Sequence, residues 1–291
     1  MIDFAKKSDI PALSELWKMC FGDTDEYIEF FMKNRFVPVK TLVKKVDEKI
    51  ISMLFLLDGE VKIHGEIFSS IYIYAAGTNT EFRKKGYMEE LIDWAKAIAK
   101  GKSVDFISLV PSNEQLFSYY SKFGFKESFK RKEITLSRKQ LKAISVESAQ
   151  SGLPCAENVL KLRNSVLSFY DSFLWDEFAI NYALKEHNIT QGKSVFAYKA
   201  DELCGYALFH ENNGITNIKE LCALLGSFGH VAKLLFESTE SNVFNLSLPV
   251  GSPISCDMPI FKDNAMLYPV STGAIKNIDK IQNAYFGLSL G

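Results

Sequence analysis

The chain has 291 residues, 47% of them hydrophobic and 24% charged, with a formal net charge of −1. Such a composition excludes a disordered chain and a bulk electrostatic attraction to nucleic acid, so any bound anion is expected to be held locally. The length suits two domains of ordinary size, each with its own core.

Residues 1–21 carry Lys6, Lys7 and Asp9 ahead of an amphipathic run and lack the apolar core of a signal peptide. No stretch reaches the length needed to span a bilayer, so the expectation is a soluble, cytoplasmic protein with no membrane partner. The cysteines, Cys20, Cys155, Cys204, Cys222 and Cys256, are odd in number and widely spaced, which suits reduced thiols. His64, His187, His210 and His230 show no ligand spacing with each other or with cysteine, and no metal site is expected.

In chain order, residues 2–5 read as a short opening strand. Ser8 or Asp9 can cap a helix with Pro11 in its first turn and Leu13, Leu16, Trp17 and Cys20 on one face. A second helix lies between a cap at Asp23 or Thr24 and Pro38, and its Tyr27, Ile28, Phe30 and Phe31 read as core. Residues 41–46 and 50–58 have the spacing of a hairpin around residues 47–49. After a turn at His64 and Gly65 comes a central strand, residues 67–76.

That strand feeds a helix in which Met88, Leu91, Ile92, Ala95, Ile98 and Ala99 recur at i, i+3, i+4 spacing. The turn between them, Arg83, Lys84, Lys85 and Gly86, places three cations beside a helix end that its free N–H groups already make positive. An anionic guest relieves that charge, and a pyrophosphate suits the site; a solvated basic turn is the bland alternative. Gly86 lets a ligand come close to the backbone, and Tyr87 and Met88 begin the apolar face. Gly101 reads as the C-cap, residues 104–110 as a strand ending at Pro111, and residues 113–124 as a short helix with Leu116, Phe117 and Tyr120 on one face, stopped by Gly124. Phe125 starts the next strand.

Two motifs here resemble those of GNAT-type N-acetyltransferases. Those proteins share R/Q-x-x-G-x-G/A after their fourth strand and commonly N-x-x-A-x-x-x-Y-x-x-x-G-F further on; this chain has Arg83-Lys84-Lys85-Gly86-Tyr87-Met88, then Asn113, Leu116, Tyr120, Gly124 and Phe125. The element order matches across roughly the first 140 residues. Met88 and Leu116 replace the usual small residues, and Met88 is expected to narrow the loop. A dinucleotide-binding fold is the nearest rival, but its other glycines and its acid after the next strand are missing, as is the Gly-Lys-Ser/Thr ending of a Walker loop.

The resemblance implies an α/β (α+β) fold with a mixed, mostly antiparallel sheet flanked by helices, and acetyl-CoA as co-substrate. It places Ala76, Gly77, Thr78, Arg83, Lys84, Lys85, Gly86, Tyr87 and Met88 at the cofactor, has Asn113 either contact the pantetheine arm of the cofactor or position its helix, and makes Tyr120 the general acid for the departing thiolate. Tyr119 could point inward in its place. Glu66 is the candidate base, with water-mediated deprotonation at Tyr72 or Tyr74 as the other route. Lys126, Lys130, Arg131 and Lys132 either meet the cofactor's 3′-phosphate or guard an exposed edge strand.

Hydrophobic density falls over residues 138–154, marking expected domains at 1–140 and 141–291. The second half reads as two helices (159–169 and about 175–185), a hairpin (194–199 and 203–210), a long strand (215–225) and a strand at 243–248. This repeats the first half, but the segment Gly226-Ser227-Phe228-Gly229-His230 holds no Arg or Lys, so a structural copy without cofactor is expected. The layout resembles the tandem domains of enhanced-intracellular-survival type acetyltransferases, with no room beyond Pro269 for their sterol-carrier-like domain. The expected function is acetyl transfer to an amine of a small molecule or protein. The alternatives are a non-catalytic acyl-CoA sensor and an interaction scaffold. Nothing in the sequence fixes the acceptor or the oligomeric state.

Overall fold

Alternation of side chains between residues 41 and 78 builds the centre of the first sheet. The computed structural model describes residues 1–289. A strand β1 (Ile2–Phe4) precedes α1 (Ile10–Phe21), which stops at Gly22 in the left-handed region with φ 74°, and α2 (Asp25–Asn34), where Thr24 Oγ1 accepts from the Tyr27 N–H. β2 (Thr41–Val46), β3 (Lys49–Ile63) and β4 (Glu66–Thr78) follow. The turn joining β3 to β4 holds His64 and Gly65 at φ 49° and 86°. Then come α3 (Tyr87–Gly101), β5 (Phe106–Leu109), α4 (Glu114–Ser121) and β6 (Lys126–Ser137). Gly101 closes α3 as its last helical residue, and the left-handed residue beyond it is Ser103, φ 55°.

The second half holds α5 (Arg138–Ile144), β7 (Gln150–Ser151), α6 (Ala156–Leu167), β8 (Ser172–Leu174), α7 (Glu177–Ile189), β9 (Lys193–Lys199), β10 (Glu202–Asn212), β11 (Ile215–Ala223), α8 (Phe228–Ser238), β12 (Val243–Leu248), β13 (Ile260–Pro269) and α9 (Thr272–Asn277). Two compact units result. Met1–Val61, Ile67–Glu127 and Ala265–Lys280 form the first; Lys62–Glu66, Ser128–Asn264 and the residues from Ile281 form the second. The units therefore do not follow the chain as two blocks. Residues 290 and 291 of the expected second domain lie outside the described residues.

In the first unit the strand order is β1-β2-β3-β4-β5-β13. β1 and β2, and β2 and β3, are antiparallel, whereas β4 and β5 run parallel from Ser70↔Phe106 to Ile73↔Leu109 with α3 between them. β13, which the sequence pattern did not single out, adds Met266–Pro269 antiparallel to β5. Leu91, Ile92, Ala95 and Ala99 of α3 cover one face together with Leu42, Leu54, Ile71, Ile73 and Ile107. Rings fill the other face: Trp17 lies 4.7 Å from Phe31, 5.3 Å from Phe55 and 5.7 Å from Tyr74 between centroids. Tyr27, Ile28 and Phe31 are buried core, as their helical spacing suggests.

In the second unit the order is β6-β12-β11-β10-β9-β7. β9, β10 and β11 are antiparallel, and β11 runs parallel to β12 from Ile215↔Val243 to Ile218↔Leu246 with α8 between them. The hairpin, long strand, helix and parallel strand of the first unit thus recur in order. β6 pairs with β12 from Lys132 to Ser137, so the basic run ends inside a paired strand rather than on an exposed edge. Lys132 is buried and its Nζ donates to the Ser252 carbonyl, Lys126 pairs with Asp279 at 2.6 Å, and Arg131 pairs with Glu133 at 2.8 Å. These cations are spoken for within the chain. Among the described residues no helix is long and apolar enough to cross a membrane, and no group of three or more His, Cys, Asp or Glu could hold a metal ion.

At the centre of this unit Arg163 on α6 and Glu220 on β11 are both 0% exposed and meet at 3.1 Å. Arg163 also donates to the carbonyls of Phe173 and Phe286, and Glu220 accepts from the Tyr206 hydroxyl at 2.7 Å and the Leu288 N–H at 3.1 Å. Both buried carboxylate oxygens of Glu220 thus find a donor. Gly287, at φ 66°, has no room for a Cβ beside Glu220 and Arg163.

A second buried polar point is an ionisable ring. His187 on α7 is 2% exposed, its Nε2 bonds the Lys193 carbonyl at 2.8 Å, and its Nδ1 has no partner. Burial, reinforced by nearby His210 and Lys219, holds its pKa below the ordinary histidine value. The unfolded chain then binds more protons below about pH 6.5, so this histidine's contribution is intact above that pH and is lost as pH falls through the depressed folded value. Thermal denaturation should show the wild type losing midpoint between about pH 6.5 and 5 more steeply than His187→Gln; parallel slopes would contradict this assignment.

Candidate active site

The basic turn folds as the sequence requires. Asn79 Oδ1 accepts from the Glu81 N–H, and residues Thr80–Phe82 make one 3-10 turn. Lys84 and Gly86 then take φ of 63° and 82°, and α3 starts with Gly86 as its N-cap. Glu90 N–H to the Gly86 carbonyl, 3.1 Å, is an early backbone bond of the helix, so the N–H groups of Tyr87, Met88 and Glu89 precede the ladder. Successive N–H groups of such a turn form a backbone concavity suited to an anion.

The cations divide into two kinds. Arg83 Nε donates to the Thr78 carbonyl at 3.0 Å, so it fastens the loop to the end of β4, with the Cys20 thiol nearby. Burial raises the Cys20 pKa, with Arg83 opposing, and the thiol stays protonated. Lys84 and Lys85 are exposed and form no ion pair among the described residues; Lys85 sits 4.9 Å above the Phe82 ring. In the first turn of α3, Glu90 is held by Lys44, which also lies 5.2 Å over the Tyr87 ring. Two lysines therefore remain without an ion pair among the described residues.

Alongside, β4 and β5 part company. Their ladder ends at Ile73↔Leu109, while β4 runs on to Thr78, and Ala75 takes φ 44°, a strained value for a residue with a Cβ. Backbone groups of residues 74–78 are thereby turned out of the ladder on the β5 side. Gly77 is buried against α1, where an added Cβ would lie 3.0 Å from Cys20 Sγ. Its carbonyl accepts from Ser52 Oγ at 3.0 Å, and Ser52 also bonds Thr78 Oγ1 at 2.7 Å. Ala76 and Thr78 are half-buried at this end of the strand.

Tyr120 is 8% exposed and belongs to the same buried cluster as Ile73 and Leu109, the last paired residues. Its ring lies 5.2 Å from Tyr119 and 6.0 Å from Phe125. Burial, with a smaller push from Tyr119, lifts its pKa well above the ordinary phenol range, so it carries its proton at any physiological pH. Tyr119 is half-buried against Phe123, and of the two Tyr120 points inward. Asn113 is exposed and its Oδ1 caps α4 through the Leu116 N–H at 3.1 Å, so it positions the helix that carries Tyr120.

Two sequence expectations fare differently. The Met88 side chain does not narrow the loop, because it packs against the apolar cluster under α3. Glu66 is exposed at the first residue of β4, twelve residues from Thr78, or about 40 Å along an extended strand. The structure does not bring it to the loop. Tyr72 and Tyr74 are buried on the face of β4 opposite Ile71 and Ile73, and the Tyr74 hydroxyl bonds that of Tyr27 at 2.7 Å. Sequence reasoning missed Cys20 and Ser52, whose only signal was the run of small residues ending β4.

Residues 1–128 match the family model described as an acetyltransferase (GNAT) domain. No curated protein matches the chain in sequence. Among solved structures, the chain is similar to a GCN5-related N-acetyltransferase from Anabaena variabilis, with TM-score 0.78, 15% identity and coverage of 96% of this chain and 74% of that one. It is also similar to a conserved protein of unknown function from Enterococcus faecalis, described as a probable N-acyltransferase, with TM-score 0.77, 15% identity and coverage of 96% and 74%. Eis1 from Mycobacterium abscessus has TM-score 0.71 at 13% identity, over 93% of this chain and 73% of that one. At such identities the likeness is one of fold.

Proposed function

We propose that the acetyltransferase (GNAT) domain carried by residues 1–128 moves an acetyl group from acetyl-CoA to a primary amine of a small molecule or a protein, in the cytoplasm. The observation that carries this reading is the pairing of left-handed Lys84 and Gly86 with an open helix end and two lysines lacking acidic partners. Backbone N–H groups of residues 84–89 and those lysines would hold the diphosphate, and the parted strands would take the pantetheine arm. The amine nitrogen attacks the thioester carbonyl, the carbon–sulfur bond breaks, and the Tyr120 phenol protonates the departing sulfur before regaining a proton from water. The proton lost by the amine passes to water. With Glu66 remote from the loop, we assign no carboxylate base.

We further read the second unit as a GNAT-like copy that binds no acyl-CoA. The element order supports this. So does the start of α8, which fronts an apolar cavity of about 80 Å³ lined by Leu221, Leu225, Phe228, Leu248 and Ile254, with no cation among its walls.

Free-thiol release from acetyl-CoA across a panel of amines tests the reading, with Gly86 as the control. An added Cβ there meets no atom within 4 Å, so only the left-handed backbone resists it. Gly86→Val is expected to weaken acetyl-CoA binding by about tenfold or more, at a conformational cost of roughly 1–2 kcal/mol, while Gly86→Asn, which tolerates positive φ, stays near wild type. Equal effects of the two would remove the backbone from the explanation.

A further inference from the structure

We propose that the second unit binds a neutral, hydroxyl-rich small molecule of saccharide type on the open face of its sheet. The site is a cavity of about 650 Å³ whose floor is made by alternate side chains of β6, β12 and β11. The volume is in the range of small-molecule sites, about 300–1,000 Å³. Register sets Thr135, Asn245 and Asn217 in one row across three strands. Thr135 Oγ1 donates to Asn245 Oδ1 and Asn245 Nδ2 donates to Asn217 Oδ1, both at 2.9 Å.

These bonds fix which way each amide faces. They leave one Nδ2 proton of Asn245, both of Asn217, and the lone pairs of the Thr135 hydroxyl to meet a ligand, with donors and acceptors interspersed at the spacing of neighbouring strands, about 4.8 Å. Hydroxyl groups, which both donate and accept, satisfy such a row. Arg131 is held in the wall by Glu133 at 2.9 Å and by Asn264, itself 8% exposed, at 3.1 Å, so its guanidinium is preorganised. Charge then selects the class. The lining holds Arg131 and Lys219 against Glu133 and Asp257, so a phosphate meets carboxylates and a polyamine meets cations. A neutral polyol meets neither penalty. This site does not depend on the acyl-transfer reading.

Calorimetric titration of the full chain with maltose, glucose and myo-inositol tests the proposal. Saturable binding of at least one is expected, weakened about tenfold or more by Asn245→Leu and again by Thr135→Val, with acetyl-CoA binding unchanged in both variants. Cys256 lines the cavity and Cys155 does not, so the bound sugar should slow alkylation of Cys256 alone, a readout that needs no variant. No binding of any of the three up to roughly 50 mM, binding indifferent to both substitutions, or Asn245-dependent binding of inorganic phosphate or spermidine in their place would overturn it.

Discussion

Tyr120→Phe is expected to leave acetyl-CoA affinity within about twofold and to lower turnover by roughly 10²-fold or more. The ring and the hydroxyl do separable jobs. The ring sits in an apolar cluster with Ile73, Leu109 and Phe125, and phenylalanine keeps those contacts. On the proposed mechanism the hydroxyl supplies the proton that lets the sulfur leave as a thiol. Because burial lifts the phenol above its ordinary pKa, the acid stays loaded, and no loss of rate from its own ionisation should appear between about pH 7 and 9. Tyr119→Phe, at a half-buried ring touching Phe123, should change little. Steady-state kinetics with a kcat and KM split decide the matter. Undiminished kcat in Tyr120→Phe would make this residue a core ring only, and a wild type that binds acetyl-CoA but releases no thiol with any amine would favour the sensor.

The second large effect lies in the other unit. Arg163→Met should destabilise the protein by about 3–5 kcal/mol, because it leaves the Glu220 carboxylate buried without its cation. For a chain of this size that is on the order of 10 °C in thermal midpoint. Replacing both partners, as Arg163→Met with Glu220→Leu, should recover much of the loss, since the desolvation of both charges is removed together. Part of the network would still miss Glu220, for the Tyr206 hydroxyl and the Leu288 N–H lose an acceptor, so recovery should stay incomplete. Differential scanning calorimetry of the three variants checks this. A single variant within about 1 kcal/mol of wild type would show that the pair contributes little.

Much of the first unit was legible because its signals are local. The cap at Thr24, the turn at His64 and Gly65, the i, i+3, i+4 face of α3 and the glycine at its start each depend on residues close in sequence. The inward choice of Tyr120 over Tyr119 could not be read that way, since adjacent residues on a short helix differ only in what the rest of the chain puts beneath them. Long-range pairing hid the remainder. β13 is exposed and unremarkable in its first half, and only its partner β5 explains Met266–Pro269. The lysines of β6 looked like an edge because nothing near them in sequence announces β12, more than a hundred residues on. Glu66 stands apart from the loop for a simpler reason: β4 is so long that its first residue lies far from the turn at its other end.

The most direct measurement compares acetyl-CoA with acetylpantetheine, which keeps the thioester and lacks the diphosphate and nucleotide. If the loop of residues 83–88 is a diphosphate cradle, isothermal titration should give saturable binding of acetyl-CoA that weakens with salt, and binding of acetylpantetheine poorer by about 10²-fold or more. Equal affinities for the two, or no saturable heat with acetyl-CoA, would contradict it.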